Sequence, residues 1–263
     1  KGLQVASTDS LYNSFAFPAD SDAAHPKPET TDNFEGGLRY KTSRIQAELS
    51  GWYTNFKNRL ASSYDPIQNI TVYRNLGTVH KYGIDASVAY EPIPELTFYA
   101  YGSYLKSKIL DNVQTGVASD GSPIYALTAG KREAAAPTYT FGGRAQGNFG
   151  PIQIGIQAKR TGPRYTNDQN LPVYQTYKDT SGATVYYQVY GAKAPAYTLV
   201  DIDARMALDW AGLNDKTYLQ LNVTNVFNTL YVGGFGGNTD TTKVPFAYIG
   251  SPRAISATIN FAF

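Results

Sequence analysis

Pro252-Arg253-Ala254-Ile255-Ser256-Ala257-Thr258-Ile259-Asn260-Phe261-Ala262-Phe263 is the stretch on which the fold turns. Apolar residues alternate along it with small or polar ones, and it stops on an aromatic. Successive side chains of a strand point to opposite faces, so the pattern reads as a strand with one apolar and one polar side. Working back through the chain, eight more alternating segments come into view. They lie at about 33–42, 44–60, 72–90, 96–109, 138–149, 152–164, 196–209 and 216–228, with the last at 252–263. Several are far longer than the roughly 5–6 residues usual in soluble sheets. Strands of that length are what a membrane-spanning β-barrel requires.

The connections alternate strictly. Thr42-Ser43, Glu91 to Glu95, Gly150-Pro151 and Trp210 to Asp215 are short, whereas about 61–71, 110–137, 165–195 and 229–251 are long. Outer-membrane barrels have short periplasmic turns and longer extracellular loops, so the rhythm also assigns an orientation, with the first strand running inward. The two faces separate cleanly. Ile45, Ala47, Leu49, Gly51 and Tyr53 oppose Arg44, Gln46, Glu48, Ser50 and Trp52. Tyr139, Phe141, Gly143, Ala145, Gly147 and Phe149 oppose Thr140, Gly142, Arg144, Gln146 and Asn148, and Val200, Ile202, Ala204, Met206 and Leu208 oppose Asp201, Asp203, Arg205 and Ala207. A soluble antiparallel sheet alternates in the same way. Strand length, loop rhythm and aromatic residues at the ends of the apolar faces favour the membrane barrel.

Composition narrows the field. The chain has 263 residues, 42% hydrophobic, with 22 Tyr, 12 Phe and 24 Gly against one Met, the balance of a sheet protein with aromatic belts. No run of 18 apolar residues exists, which excludes a transmembrane helix, and a mean hydropathy of −0.34 suits a barrel with a polar lumen. The absence of cysteine excludes disulfides and thiolate metal sites, and a net charge of +2 leaves no nucleic-acid footprint. His25 and His80 stand too far apart to suggest a metal pair, and neither a G-x-S-x-G elbow nor an acid–base–nucleophile set is visible, so no metal, cofactor or enzymatic role is expected.

Three motifs carry a family resemblance. Pro28-Glu29-Thr30 with Asn33-Phe34-Glu35-Gly36-Gly37-Leu38-Arg39-Tyr40 resembles the way TonB-dependent receptors lead into an inward strand. Asn75-Leu76-Gly77 with Gly83-Ile84-Asp85 resembles the family's N-x-G and G-[IV]-E strand, with Asp85 where Glu is commoner. Leu221-Asn222-Val223-Thr224-Asn225-Val226-Phe227-Asn228, Tyr231 and Gly250-Ser251-Pro252-Arg253 are similar to its closing strand pair. The resemblance implies the last nine or so strands of a 22-stranded antiparallel transmembrane barrel in the bacterial outer membrane. Residues 1–32 are then an extracellular loop with the lead-in segment, and 33–263 the C-terminal part of the barrel. An odd number of strands does not close a bacterial barrel, and open edges in lipid are costly. The N-terminal plug, the TonB box and about thirteen upstream strands are therefore expected to lie outside this chain.

Function follows from the same resemblance. It implies active import of a scarce ligand, most readily a ferric siderophore, energised by the TonB complex, with cobalamin, glycans or other metal chelates as further ligand classes. Outer-membrane lipid, the plug and upstream strands, and the barrel assembly machinery reading Phe263 are the other expected partners. Tyr174, Tyr177, Tyr186, Tyr187 and Tyr190 with Arg164 are the candidate ligand-binding residues, because tyrosines offer rigid amphipathic contact and a cation attracts an anionic chelate. A tyrosine-rich hairpin extending the wall is the plainer reading of the same loop. Arg39, Lys41, Arg44, Glu48, Asp85, Arg144, Lys159, Asp201, Asp203 and Arg205 are expected to face the lumen. The glycine-rich tract Gly233 to Gly237 is expected to fold over the mouth. A passive porin, or a soluble glycan-binding sandwich, are the alternatives.

Overall fold

The computed structural model describes residues 2–4, 27–65, 70–118, 120–214, 216–236 and 246–262. Nine long strands lie side by side: β1 Glu29–Lys41, β2 Ile45–Lys57, β3 Val79–Ile93, β4 Leu96–Ile109, β5 Tyr139–Phe149, β6 Ile152–Thr161, β7 Tyr197–Ala207, β8 Tyr218–Thr224 and β9 Ala254–Asn260. Each is antiparallel to its neighbours in the sheet. A short strand, Gly2–Gln4, adds to the far side of β1. All nine expected strands are present, and the fold is all-β. Phe263 and His25 lie outside the described residues.

Two expected strands are too long, for a local reason. The 44–60 segment stops at Lys57 and the 72–90 segment starts at Val79. Between them Asn58 and Gly77 take left-handed backbone, with φ of 54° and 71°, which ends a ladder on both strands at once. Arg59 N donates to Gly77 O and Leu76 N to Arg59 O, so the chain turns out of the sheet there into a separate hairpin, Leu60–Asp65 with Ile70–Asn75. The 216–228 segment likewise stops at Thr224, because Asn225 and Asn228 both have φ of 50°. Asn225 is buried and donates to Thr229 O and Ser251 O while accepting from Thr229 N, and Asn228 Oδ1 accepts from Arg253 N. The asparagine motif is thus a bracket between the end of β8 and the start of β9. Hairpins also occupy the other long connections: Val113–Val117 with Pro123–Ala126, Val173–Lys178 with Thr184–Tyr190, and Val232–Gly236 with Phe246–Ile249.

Register keeps the two faces distinct across the whole sheet. One apolar row runs Tyr90, Phe98, Ala145, Ile156, Ile202, Val223, Ile255, each paired with the next. Aromatic residues bound this face. Phe34, Tyr53 and Tyr82 pair in a row near the long-loop end, and Tyr40, Tyr90, Phe98 and Phe149 lie toward the short turns. This face stands uncovered: Leu38 is 77% exposed and Ile255 69%, too much apolar surface for water to border. Among the described residues buried apolar side chains gather in one small cluster, Leu76, Val79, Ile109 and Val113 beside Phe56, at the long-loop end, with Ala126, Ala134, Val173 and Ala194 buried outside it. Among the described residues no helix is long and apolar enough to cross a membrane.

The opposite face carries a polar mesh. Trp52 lies over Gly83 and its Nε1 donates to Asp85 Oδ2 at 2.7 Å. Arg144 crosses β6 to reach Asp203, with Nη1–Oδ1 at 2.6 Å and Nη2–Oδ2 at 2.9 Å. The residue it crosses is Gly155, where an added Cβ would stand 2.2 Å from Arg144 Nη2. Gly155→Val should therefore displace the guanidinium and cost about 1.5–3 kcal/mol, the usual range for a hydrogen bond to a charged group. Gly51→Ala, on the apolar face with its nearest neighbour 4.0 Å from the added Cβ, should stay within about 0.5 kcal/mol. Thermal unfolding of the intact protein in detergent, followed by circular dichroism, compares the two.

Candidate functional site

The five candidate tyrosines sit on one hairpin but do not form one cluster. Pairing of Thr176 with Tyr186 and of Tyr174 with Gln188 puts Tyr174 and Tyr186 on one side of the ribbon. Tyr177 and Tyr187 share the other, with ring centroids 5.9 Å apart, and the Tyr187 hydroxyl donates to Gln175 Oε1. Tyr190 lies beyond a register shift and packs edge-on against Phe235. Tyr186 is the most open, at 70% exposure. The hairpin tip is held by Asp179, which accepts from Ser181 N, Ser181 Oγ and Ala183 N; the Ser181 hydroxyl hydrogen bond leads in holding its carboxyl below the usual carboxylate range.

Arg164 has a different task from the one expected. Its side chain is buried, its guanidinium donates to the carbonyls of Val232 and Gly233, and it lies 5.7 Å from the ring centres of both Tyr197 and Phe235. Those groups surround the charge, so Arg164 is a clamp on the 232–249 hairpin and not an open cation beside the tyrosines. The glycine tract is correspondingly part of that hairpin from Val232 to Gly236, and Gly237 lies outside the described residues. Stacking of Tyr197 on Tyr231 at 4.3 Å, with Tyr231 resting on Gly250, completes the anchorage.

The charged set expected in the lumen shares the polar face. Arg39 and Glu48 pair at 3.1 Å, Arg144 holds Asp203, Asp201 accepts from Gln157 Nε2 and from Asn225 N, and the Arg205 guanidinium lies 3.6 Å from the centre of the Tyr218 ring. Asp85 accepts from Trp52. Lys41 and Lys159 belong to the same face by register. Arg44 differs: it falls in the turn before β2, outside any strand, because the Thr42 hydroxyl caps that turn by accepting from Arg44 N and Ile45 N.

A buried ionic network at the long-loop end went unseen in the sequence. Arg59 reaches Glu29 at 2.8 Å and Glu133 at 3.1 Å, and Lys81 pairs with the other oxygen of Glu133. Arg59 and Lys81 flank the Phe56 ring from 5.2 and 4.8 Å. Beside them Asp168, 3% exposed, accepts from Ala134 N at 2.7 Å, and Asn170 exchanges two hydrogen bonds with the backbone of Arg132. Burial raises the Asp168 carboxyl to about 7; the Ala134 amide opposes this, Glu133 adds to it, and Arg59 and Lys81 offset it. The members come from five separate segments, so no local spacing reveals them. Among the described residues no three acidic or histidine side chains converge as metal ligands.

Against known proteins, the family described as TonB dependent receptor-like, β-barrel, matches residues 1–228. The fold resembles solved structures at low identity. The copper transporter OprC aligns with a TM-score of 0.66 and 16% identity over 100% of this chain and 36% of its own. The siderophore receptor PiuA from Acinetobacter baumannii gives 0.62 and 18% over 89% and 28%. The ferric yersiniabactin uptake receptor FyuA from Yersinia pestis gives 0.60 and 16% over 88% and 30%. The chain therefore spans about a third of the length of these proteins. No curated protein matches it by sequence.

Two outcomes follow from the geometry. An acid whose carboxyl titrates higher in the folded state than in the unfolded one holds its proton longer when folded, so stability falls as pH rises from about 4 to about 7. Asp168→Asn keeps the acceptor for Ala134 N and should flatten this dependence, leaving the variant more heat-resistant than the parent at pH 8; melting curves at pH 5 and pH 8 test it. Arg164→Met should loosen the last hairpin, read as faster amide exchange across 232–236 and 246–249 with the β4–β6 ladder unchanged.

Proposed function

The chain belongs to the TonB-dependent receptor-like β-barrel family, a transport family and not an enzyme family, and lies in the bacterial outer membrane; on that footing we propose that it forms the C-terminal wall and outer loops of an active importer of a metal chelate. The carrying observation is the family match over most of a sheet with one continuous apolar and one continuous polar face. The apolar face meets lipid, and the polar face, with Arg39, Glu48, Asp85, Arg144, Asp201, Asp203 and Arg205, lines a lumen occupied by an N-terminal plug. In this reading the barrel has 22 strands, and the TonB complex supplies the energy that moves the plug. The barrel assembly machinery recognises the terminal aromatic.

Ligand contact falls to the outer hairpins. Tyr186 and Tyr174 lead, since their rings share a side of the ribbon and neither is engaged as Tyr187 is by Gln175. A ferric siderophore is the favoured ligand: of the similar structures one is named for ferric yersiniabactin uptake and one as a siderophore receptor, and the third, a copper transporter, keeps other metal cargoes in view.

Uptake by whole cells tests the reading. Transport of an isotopically labelled ferric siderophore should saturate at low concentration and vanish when the TonB complex is removed. Uptake that persists without TonB and rises linearly with concentration would make the barrel a passive porin. Replacing Tyr174 and Tyr186 together by Ala should weaken ligand binding about tenfold, corresponding to about 1.4 kcal/mol of lost aromatic contact.

A further inference from the structure

The apolar face does not stay apolar to its outer limit. Above the aromatic row Phe34–Tyr53–Tyr82, the register continues on the same face into Lys106, which pairs with Tyr82, and into the next row Asp32–Asn55–His80–Lys108. Lys57 follows on β2, two residues beyond Asn55 and so on the same side. Lys57, Lys106 and Lys108 are all exposed, while their alternates Phe56, Ser107 and Ile109 turn inward. This is a different face from that of Lys81, whose charge is used in the buried network.

Three lysines thus crowd one corner of the outer surface. Same-face neighbours on a strand are about 7 Å apart and β2 and β4 are separated by roughly 10 Å, so all three ammonium groups reach one small anion. None has an acidic partner among the described residues. Asp32 is the carboxylate on this face; it lies three strands from Lys108 and on the strand beside Lys57, with which it forms no ion pair, and Asp111 just after β4 is engaged by Thr78 N. The Lys106 ammonium lies 5.8 Å from the Tyr82 ring centre, and His80 packs edge-on against Tyr53.

Depth selects the partner. Aromatic belts mark the boundary between acyl chains and headgroups, so cations in the belt row and in the next two rows stand at headgroup level. The end is that of the long loops, which faces the cell exterior. We infer that Lys57, Lys106 and Lys108 form a docking patch for a phosphate-bearing lipid of the outer leaflet, whose acyl chains lie along the apolar face below Tyr53 and Tyr82. In a bilayer, apolar contact alone does not distinguish one lipid from another, so the selectivity comes from the phosphate. The inference rests on the outer-membrane placement and not on the import reading.

Native mass spectrometry of the intact protein, extracted from outer membranes in mild detergent, tests it. The parent should retain a phosphorylated lipid, and the Lys57→Gln/Lys106→Gln/Lys108→Gln variant should retain about tenfold less or lower still. The corresponding triple Arg variant should restore retention, and Lys216→Gln at the opposite rim should leave it unchanged. As a second measurement, delipidated parent protein is offered the phosphorylated glycolipid extracted from the same membranes, with or without phosphatase treatment. Binding of the untreated lipid only, undisturbed by millimolar inorganic phosphate, supports the patch. Equal retention by the triple Gln variant, equal binding after phosphatase, or displacement by free phosphate would overturn it. Siderophore uptake measured on the same variants keeps this result separate from the import reading.

Discussion

Everything in this structure depends on the backbone ladder being complete wherever water is absent. A strand in hydrocarbon has no solvent to satisfy its N–H and C=O groups, so each must bond to the next strand. Among the described residues β2 to β8 meet that demand on both sides by pairing with sequence neighbours over long registers, ten residues in succession between β5 and β6 and again between β6 and β7. Strand β9 is paired on one side, and β1 has three paired residues on its outer side. Breaks in the ladder are confined to places where side chains or a local turn repair it. The left-handed residues Asn58 and Gly77 stand opposite one another at the long-loop end, and Asn225 meets the carbonyls of Thr229 and Ser251, in the connection between β8 and β9, with its own side-chain amide.

A fixed ladder also fixes which side chains meet. On the polar side, large groups are accommodated by placing glycine beneath them, as with Trp52 over Gly83 and Arg144 over Gly155. Both let a side chain lie flat against the wall and reach an acid, one on the adjoining strand and one two strands away. The apolar side relies on the device less, with the Phe149 ring lying over Gly147, since a fluid solvent fills its hollows; the recess of about 430 Å³ floored by Ala100, Gly143 and Ala158 is one of these.

This division explains what the sequence made legible. Period-two alternation reports register directly, so the nine strands, their neighbours and the face of Arg39, Asp85, Arg144 and Asp203 could be read residue by residue. Turn chemistry set by single residues was harder: Asn58 and Asn225 look like ordinary strand members until their backbone angles are known. Arg164 was misread for a further reason. Its neighbours in sequence are tyrosines, whereas its partners, the carbonyls of Val232 and Gly233, lie nearly 70 residues away. The network of Glu29, Arg59, Lys81, Glu133 and Asp168 is invisible in the same way, because each member arrives on a different segment.

That network and the exposed hairpin divide the labour at the mouth. Three carboxyls meet two cations there, so with every group ionised the buried cluster would carry one uncompensated negative charge, and a proton on Asp168 removes it. The cluster ties the loop after β4 to the loop after β6 and to the ends of β1 and β2, making the base of the hairpins rigid. Beyond that base the 173–190 ribbon carries its tyrosines on both sides, with Asp179 ordering the tip through backbone and hydroxyl contacts alone. Side chains on such a ribbon can change without disturbing a buried partner. Substitution on this ribbon therefore costs the barrel least, while the charges that hold the base together stay buried beneath it.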